Sequence, residues 1–360
     1  MINKKRLLNT FFELAKIDSV SDEEEKLAKH LVLKLKKLGG KAFLDSYGNV
    51  IGKFDGVGET YMINSHMDTV EPGRSIKPMI EGNKIISDGT TITGGDAKAG
   101  IAIILEALET LIENKRKHIP LEIVFTRGEE TGLFGAVNLD YSKISAKKGI
   151  TFDGEARVTN VTVAAPGYND VDIVITGRAA HAGAEPEKGI SAIKIAAEII
   201  SKLKVGRIDF ETTANIGLIS GGTARNAVPE IVEITAEIRS RSLNKLIKHS
   251  DHFTNVIEKV MTKYPEAKID LNINRQFDSY RFKDSHPVVE KILKVLKEMK
   301  LKPNLKETGG GSDVSIFHSH GIEAICIGIA VHNAHTTREY VDILEMVESA
   351  EFCRRFVELS

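Results

Sequence analysis

Apolar residues recur along the chain with two periods, and the alternation between those periods predicts its elements. Over residues 4–17, Leu7, Leu8, Phe11, Phe12 and Leu14 share one helical face. A second helix, capped by Ser19 or Ser21, runs to Leu38 and stops at Gly39-Gly40; Ser21 followed by Glu24 is a capping-box pattern at its start. Residues 41–55 predict two short strands around Tyr47-Gly48-Asn49. Tyr61-Met62-Ile63-Asn64 then reads as a buried strand that delivers Ser65-His66-Met67-Asp68-Thr69 to its C-terminal end. Gly, Pro and polar residues mark 71–92 as irregular, with a small hairpin near 81–86. A turn over 94–100 opens a helix over 97–113, with Ile101, Ile104, Leu105, Leu108 and Leu111 on its apolar face. Strands at 121–125 and 149–152 follow. Strand, helix, strand at this rhythm is a βαβ unit and implies a parallel sheet.

The rhythm changes near Val171. Strand 171–176, helix 189–203, strands 213–219 and 230–238, helix 243–263 and strand 268–274 make β-α-β-β-α-β, the ferredoxin-like order. Afterwards the α/β rhythm resumes: helix 287–299, a glycine turn at 309–311, helix 313–318, strand 322–329, loop 330–340 and helix 342–357. The expected organisation is an α/β core domain of residues 1–168 and 276–360, interrupted by a smaller domain over 169–275.

Composition narrows the function. The 360 residues are 42% hydrophobic and 28% charged, an ordinary soluble balance. With 49 basic and 50 acidic residues, no global field draws in nucleic acid or an anionic membrane. Trp is absent and aromatics are 6%, which argues against stacking platforms for single strands. No run approaches the 18 or so apolar residues of a membrane span. Cys326 and Cys353 form no disulfide framework or zinc-finger spacing, and the N-terminus reads as an amphipathic helix, not a signal peptide. A cytoplasmic setting is expected, with neither nucleic acid nor membrane as partner.

Four predicted strands run into candidate chemistry. Strand 61–64 leads to His66 and Asp68, with Asp96 in the next turn; 121–125 leads to Glu129-Glu130; 149–152 to Asp153; 322–329 to His332 and His335. In an open α/β sheet, ligands sit at that end of the strands. Each feature alone has a plain reading: a satisfied buried pair for His66 and Asp68, an exposed charged turn for Glu129-Glu130. Together they would bury several carboxylates, which is very costly without cations. A polynuclear metal site resolves that cost. Imidazole and carboxylate without thiolate suit zinc, manganese or cobalt, and two metals form a recurring hydrolytic arrangement. In the Glu pair, one carboxylate could ligate and the other act as base. None of the glycine-rich loops fits a nucleotide-binding pattern. Arg241 and Arg281 could meet a substrate carboxylate, or be surface charges.

The motifs His66-Met67-Asp68-Thr69-Val70, Gly95-Asp96-Ala97-Lys98-Ala99-Gly100, Gly128-Glu129-Glu130-Thr131-Gly132, Asp153-Gly154, and His335 with Glu339 resemble the co-catalytic zinc peptidases. That family includes peptidase T, carboxypeptidase G, succinyl-diaminopimelate desuccinylase and the aminoacylases; peptidase T-like members match best. The resemblance implies a three-layer α/β catalytic domain with a mainly parallel sheet, and an inserted ferredoxin-like domain acting as lid and dimerisation surface. It implies two divalent ions per chain, zinc foremost, with His66 and Asp153 on one, Glu130 and His335 on the other, and Asp96 bridging. Asp68 would orient His66, and Glu129 would be general base toward a metal-bridging water. The bond after Asp96 would be cis; Ala97 stands where the family often has a second acidic residue. His181, in Ala180-His181-Ala182-Gly183, would reach the partner subunit's site in a homodimer and stabilise the oxyanion. Asn226 would hydrogen-bond substrate. Gly310 and Ser312, in the Gly309-Gly310-Gly311-Ser312-Asp313 turn that opens a helix, could meet an anionic substrate end, or the turn could equally be a tight one with an Asp cap. His332 receives no role. The implied reaction is hydrolysis of short peptides, as a tripeptidase or aminopeptidase; a carboxypeptidase or an N-acyl amino acid amidohydrolase would share the metal set.

Overall fold

Four strands lie parallel in the computed structural model, which describes residues 1–359: Leu121–Thr126, Tyr61–His66, Lys148–Glu155 and Glu323–His332, in that spatial order. Leu121–Thr126 and Tyr61–His66 are buried along their whole length, as strands covered on both faces are. Register pairs His66 with Thr126, and Ile150 with both Ile63 and Ile325. The four C-terminal ends therefore emerge along one edge. Antiparallel strands widen the sheet: Val50–Phe54 and Lys41–Leu44 on one side, Tyr340–Asp342, Lys84–Ile86 and Met79–Glu81 on the other.

The helix Gly95–Glu113 is buried along almost its entire length, consistent with a sequence apolar on nearly every face. It packs against Ile343–Val357, Lys4–Ala15 and the parallel strands. Gly100 permits that approach, because a Cβ there would stand 2.4 Å from the Phe152 carbonyl oxygen and 2.5 Å from Ser65 Oγ. The helix is interrupted at Asp96 and Ala97, and the peptide bond between them is cis. These elements belong to a unit made of Met1–Val163, Phe282–Glu307 and the chain from Ser312 onward.

The second unit is Ala164–Arg281 with Thr308–Gly311. Its sheet is antiparallel, in the order Gly206–Arg207, Thr212–Gly221, Ile231–Ser240, Gly167–Thr176, Lys268–Phe277. Helices Ala192–Lys202 and Leu243–Lys263 pack on it. Strict alternation along Ile231–Ser240 buries Val232, Ile234, Ala236 and Ile238 against Ile195, Ile199, Phe253 and Ile257. Among the described residues, no helix is long and apolar enough to cross a membrane.

One local expectation fails. The helix Glu25–Lys37 has no side-chain cap, so Ser21 and Glu24 do not form the capping box their spacing suggests. Both side chains are committed elsewhere, as the site explains.

Candidate metal centre

The edge where the parallel strands end gathers two imidazoles and four carboxylates. His66 ends its strand and is buried. Its Nδ1 donates to the Asp68 carbonyl oxygen at 3.0 Å, so Nε2 is the nitrogen turned toward the site. Nε2 faces Asp96 Oδ1 at 3.2 Å and Asp153 Oδ1 at 3.0 Å. Across the site, His335 Nε2 faces Asp96 Oδ2 at 3.2 Å and Glu130 Oε1 at 2.9 Å. Asp96 thus presents one oxygen to each imidazole. Three ligand groups result: His66, Asp96 and Asp153; Asp96, Glu130 and His335; and His66, Glu129 and Glu130, each with donor atoms within 4.8 Å of one another.

Burial and mutual charge leave these groups strongly perturbed. Burial opposes protonation of His66, yet Asp153 with Asp68 and Asp96 holds its pKa well above the ordinary value. The Asp96 carboxylate, and after it the adjacent charge of Glu130, raise His335 to about 10. Burial pushes Asp153 up to about 6. Burial also drives Glu129 well above the usual carboxylate range, with Asp153 adding repulsion. Glu130 Oε1 is buried and, despite its nearness to His335, has no hydrogen-bond partner. Nitrogen and oxygen donors, carboxylates outnumbering cations, and a buried oxygen without a hydrogen bond together fit divalent metal ions.

Asp68 does more than stand near His66. Its carboxylate lies 3.4 Å from Nδ1, and it accepts the backbone N–H groups of Glu129 at 3.0 Å and Glu130 at 3.1 Å. Ser21 Oγ donates to it at 2.8 Å. Although burial opposes ionisation, its bonds to His66, Glu129 and Ser21 lower its pKa. Glu24, also buried, accepts from Gly128 N at 2.9 Å and pairs with Arg127 at 2.9 Å. The two residues of the presumed helix cap therefore brace the turn that carries Glu129 and Glu130. Only the tertiary partners distinguish that use from a cap, so no pattern within residues 19–25 could have signalled it. Glu339 braces the Asp96 turn in a comparable way. Asp313, buried at the start of Asp313–Ser319, accepts from Thr126 and is raised to about 7 by burial.

Of the remaining candidates, His332 Nε2 meets Glu345 at 2.7 Å and its ring stacks on Tyr340. It joins none of the ligand groups among the described residues. Ser312 precedes the Asp313–Ser319 helix without a side-chain cap. In the second unit, His181 is exposed, and its Nδ1 accepts from Gly183 N at 3.2 Å and Ala184 N at 3.0 Å. That fixes the tautomer with the proton on Nε2. Asn226 is exposed, with its carbonyl bound to Ala182 N. Gly310 N donates to Thr308 Oγ1. Arg241 donates to the Phe210 and Thr308 carbonyl oxygens.

Known proteins share this architecture at full length. The uncharacterized protein YqjE of Bacillus subtilis is 39% identical over 99% of both chains. The crystal structure of aminopeptidase PepT from Bacillus cereus superposes with a TM-score of 0.91 at 38% identity, covering 99% of this chain and 98% of that one. A tripeptidase from Staphylococcus aureus gives 0.93 at 34% identity, with the same coverage. The sequence model of peptidase family M20/M25/M40 matches residues 62–359, from the strand that ends in His66 through the loop that carries His335. By that match and those identities, the chain belongs to peptidase family M20/M25/M40.

Proposed function

We propose that this protein is a two-metal aminopeptidase that removes the N-terminal residue of short peptides, tripeptides foremost. The observation that carries the reading is Asp96, whose two oxygens face His66 and His335 separately. A carboxylate so placed suits a bridge between two cations, with Asp153 completing one ligand group and Glu130 the other. Kinship to an aminopeptidase and a tripeptidase along the full chain supports the substrate class. The donor set favours zinc, with manganese and cobalt also suited to it.

When bound, two such ions supply Lewis-acid charge at the scissile carbonyl and make a water acidic enough to attack at neutral pH. The chain's own residues manage orientation and protons. Asp68 fixes the backbone of Glu129 and Glu130 together, so base and ligand are aimed by one carboxylate. Glu129, kept basic by burial and by Asp153, accepts the proton of the attacking water and passes it to the departing amine. His181 presents Nε2–H as a donor suited to a developing oxyanion. We assign it to the site of a partner subunit. Asn226, Gly310 and Ser312 are assigned to substrate.

The second unit, taken as an inserted domain over about 169–275, would be the dimerisation surface. Its Thr212–Gly221 strand supports that role, because Leu218 and Ile219 on it are exposed. The two cysteines are free and buried, which suits a cytoplasmic location. The test is turnover of a tripeptide, a dipeptide, an N-acyl amino acid and a C-terminally extended peptide by protein loaded with zinc, manganese or cobalt. Release of the N-terminal residue from the tripeptide, with two ions per chain by elemental analysis, is expected. Preference for the N-acyl amino acid, or a single ion per chain, overturns the reading.

A further inference from the structure

The loop that brings His335 to the site also brings Glu339. Its side chain is buried, at 2% exposure, and its carboxylate collects three backbone N–H groups. Oε2 accepts from Thr93 at 2.9 Å and from Gly94 at 3.2 Å; Oε1 accepts from Asp96 at 3.0 Å. Thr93 Oγ1 donates in return to the Glu339 carbonyl oxygen at 2.6 Å. All these bonds converge on the turn that carries Asp96. Gly95, inside that turn, has no room for a side chain: a Cβ there would lie 2.9 Å from Glu339 Oε1, 2.8 Å from Val341 Cγ2 and 2.9 Å from Val331 Cγ2. The turn is thus packed directly onto the carboxylate.

A buried carboxylate is a costly way to fill space, and an apolar side chain would do so without leaving a charge to be compensated. What the carboxylate adds is direction. Backbone N–H groups bonded to an ionised carboxylate are held more firmly than by neutral acceptors, and these three belong to the stretch that leads into the Cα from which the Asp96 side chain departs.

We propose that Glu339 is the positioning residue for Asp96, gripping the 93–96 turn so that the two oxygens of Asp96 face His66 and His335 at once. Because Glu339 and His335 share one loop, the grip also ties the placement of His335 to that of Asp96. The inference rests on the two-ion reading above. Partners that orient a metal ligand from behind matter for affinity: losing one weakens binding by roughly 10–100-fold.

Glu339→Gln keeps the size of the side chain but replaces one acceptor oxygen with an amide that confronts a backbone N–H. The probe is Co(II), titrated against a competing chelator and followed by its visible absorption, beside urea denaturation of each metal-free chain. The control is Glu122→Gln. Glu122 is likewise buried, accepts from Ser145 N at 2.8 Å and Ala146 N at 2.9 Å, and lies at the other end of its strand from the site. Glu339→Gln is expected to weaken Co(II) binding by roughly 10–100-fold and to shift the visible band. Glu122→Gln should lose stability and bind Co(II) as the wild type does. Wild-type affinity and an unshifted band in Glu339→Gln overturn the proposal, as does equal weakening in both variants. If Glu339→Gln does not fold, Thr93→Val, which removes the returning hydroxyl bond, carries the test: weaker binding supports the grip and unchanged binding overturns it. A wild-type chain that takes up fewer than two Co(II) ions defeats the two-ion reading itself, and is recognised before any variant is compared.

Discussion

Glu129 and Glu130 are neighbours with different surroundings. Glu130 Oε1 lies 2.9 Å from His335 Nε2, while Glu129 is pushed well above the usual carboxylate range by burial and then by Asp153. Environments that separate two carboxylates in this way divide their chemistry. Glu129→Gln removes the proton acceptor and keeps the side chain's shape, so turnover should fall by roughly 10²–10⁴-fold while both ions stay bound. Parallel measurement of kcat and of metal content checks this, and loss of an ion would transfer Glu129 to the ligand set. A second residue-scale prediction lies away from the site. Lys291 is held at about 8, below its ordinary 10.5, by burial, with its ammonium over Tyr61 and Phe356 at 4.2 and 4.3 Å. A lysine whose folded pKa is depressed destabilises fully below that pKa and is relieved as pH rises toward the unfolded value. Allowing for its partial exposure and for the ring contacts, Lys291→Met should gain about 1 kcal/mol at pH 7. The gain should shrink from pH 8 upward and vanish near pH 10.5, as read from urea midpoints of the two chains across that range.

At the scale of elements, the turns after the strands are what the sequence conveys least completely. Strand ends could be read because parallel strands carry unbroken apolar runs, and the chemical residues gather at those ends: His66 closes its strand, Asp153 lies near the end of Lys148–Glu155, and Glu129-Glu130 follow Thr126 after two residues. His335 was legible only through the motif it belongs to, since His332 closes the same strand and by position alone has the better claim. The structure separates the two histidines by packing, with His332 held by Glu345 and Tyr340. Ser21 and Glu24 show the opposite failure, in which a sound local pattern describes bonds that are not made. Glu24 reaches 104 positions along the chain to Gly128 N, and no local rule carries that information. Its removal should therefore weaken the turn more than the helix. Glu24→Ala leaves Gly128 N–H unpaired and Arg127 without its carboxylate, a loss of about 2–4 kcal/mol. Urea denaturation measures that loss. A drop in activity larger than Ser21→Ala produces, at temperatures where both variants are folded, would locate the effect at Glu129 and Glu130.

At the scale of the whole molecule, the second unit's sheet has an open side. The short strand Gly206–Arg207 covers only Thr213 and Ala214 of the Thr212–Gly221 strand. Beyond them, Leu218 is 71% and Ile219 55% exposed. An apolar strand edge left open invites pairing with another chain, and two copies related by a twofold axis could satisfy each other there with the same residues. A like charge introduced on such an edge meets its own copy across the axis. If the proposed dimer forms on this edge, the double variant Leu218→Lys, Ile219→Lys should halve the mass measured by light scattering. If His181 serves the partner's site, the resulting monomer should keep two ions per chain and lose most of its peptidase activity. A dimer that survives the lysines places the interface elsewhere, and a monomer with full activity removes His181 from the reaction. Mixing separates these cases further. His181→Ala and Glu129→Gln chains are each impaired alone, but a mixed dimer contains one site with Glu129 intact and a partner's His181 available to it. Up to half of the hybrid sites should then recover activity, and the recovery should disappear when both chains also carry the edge lysines.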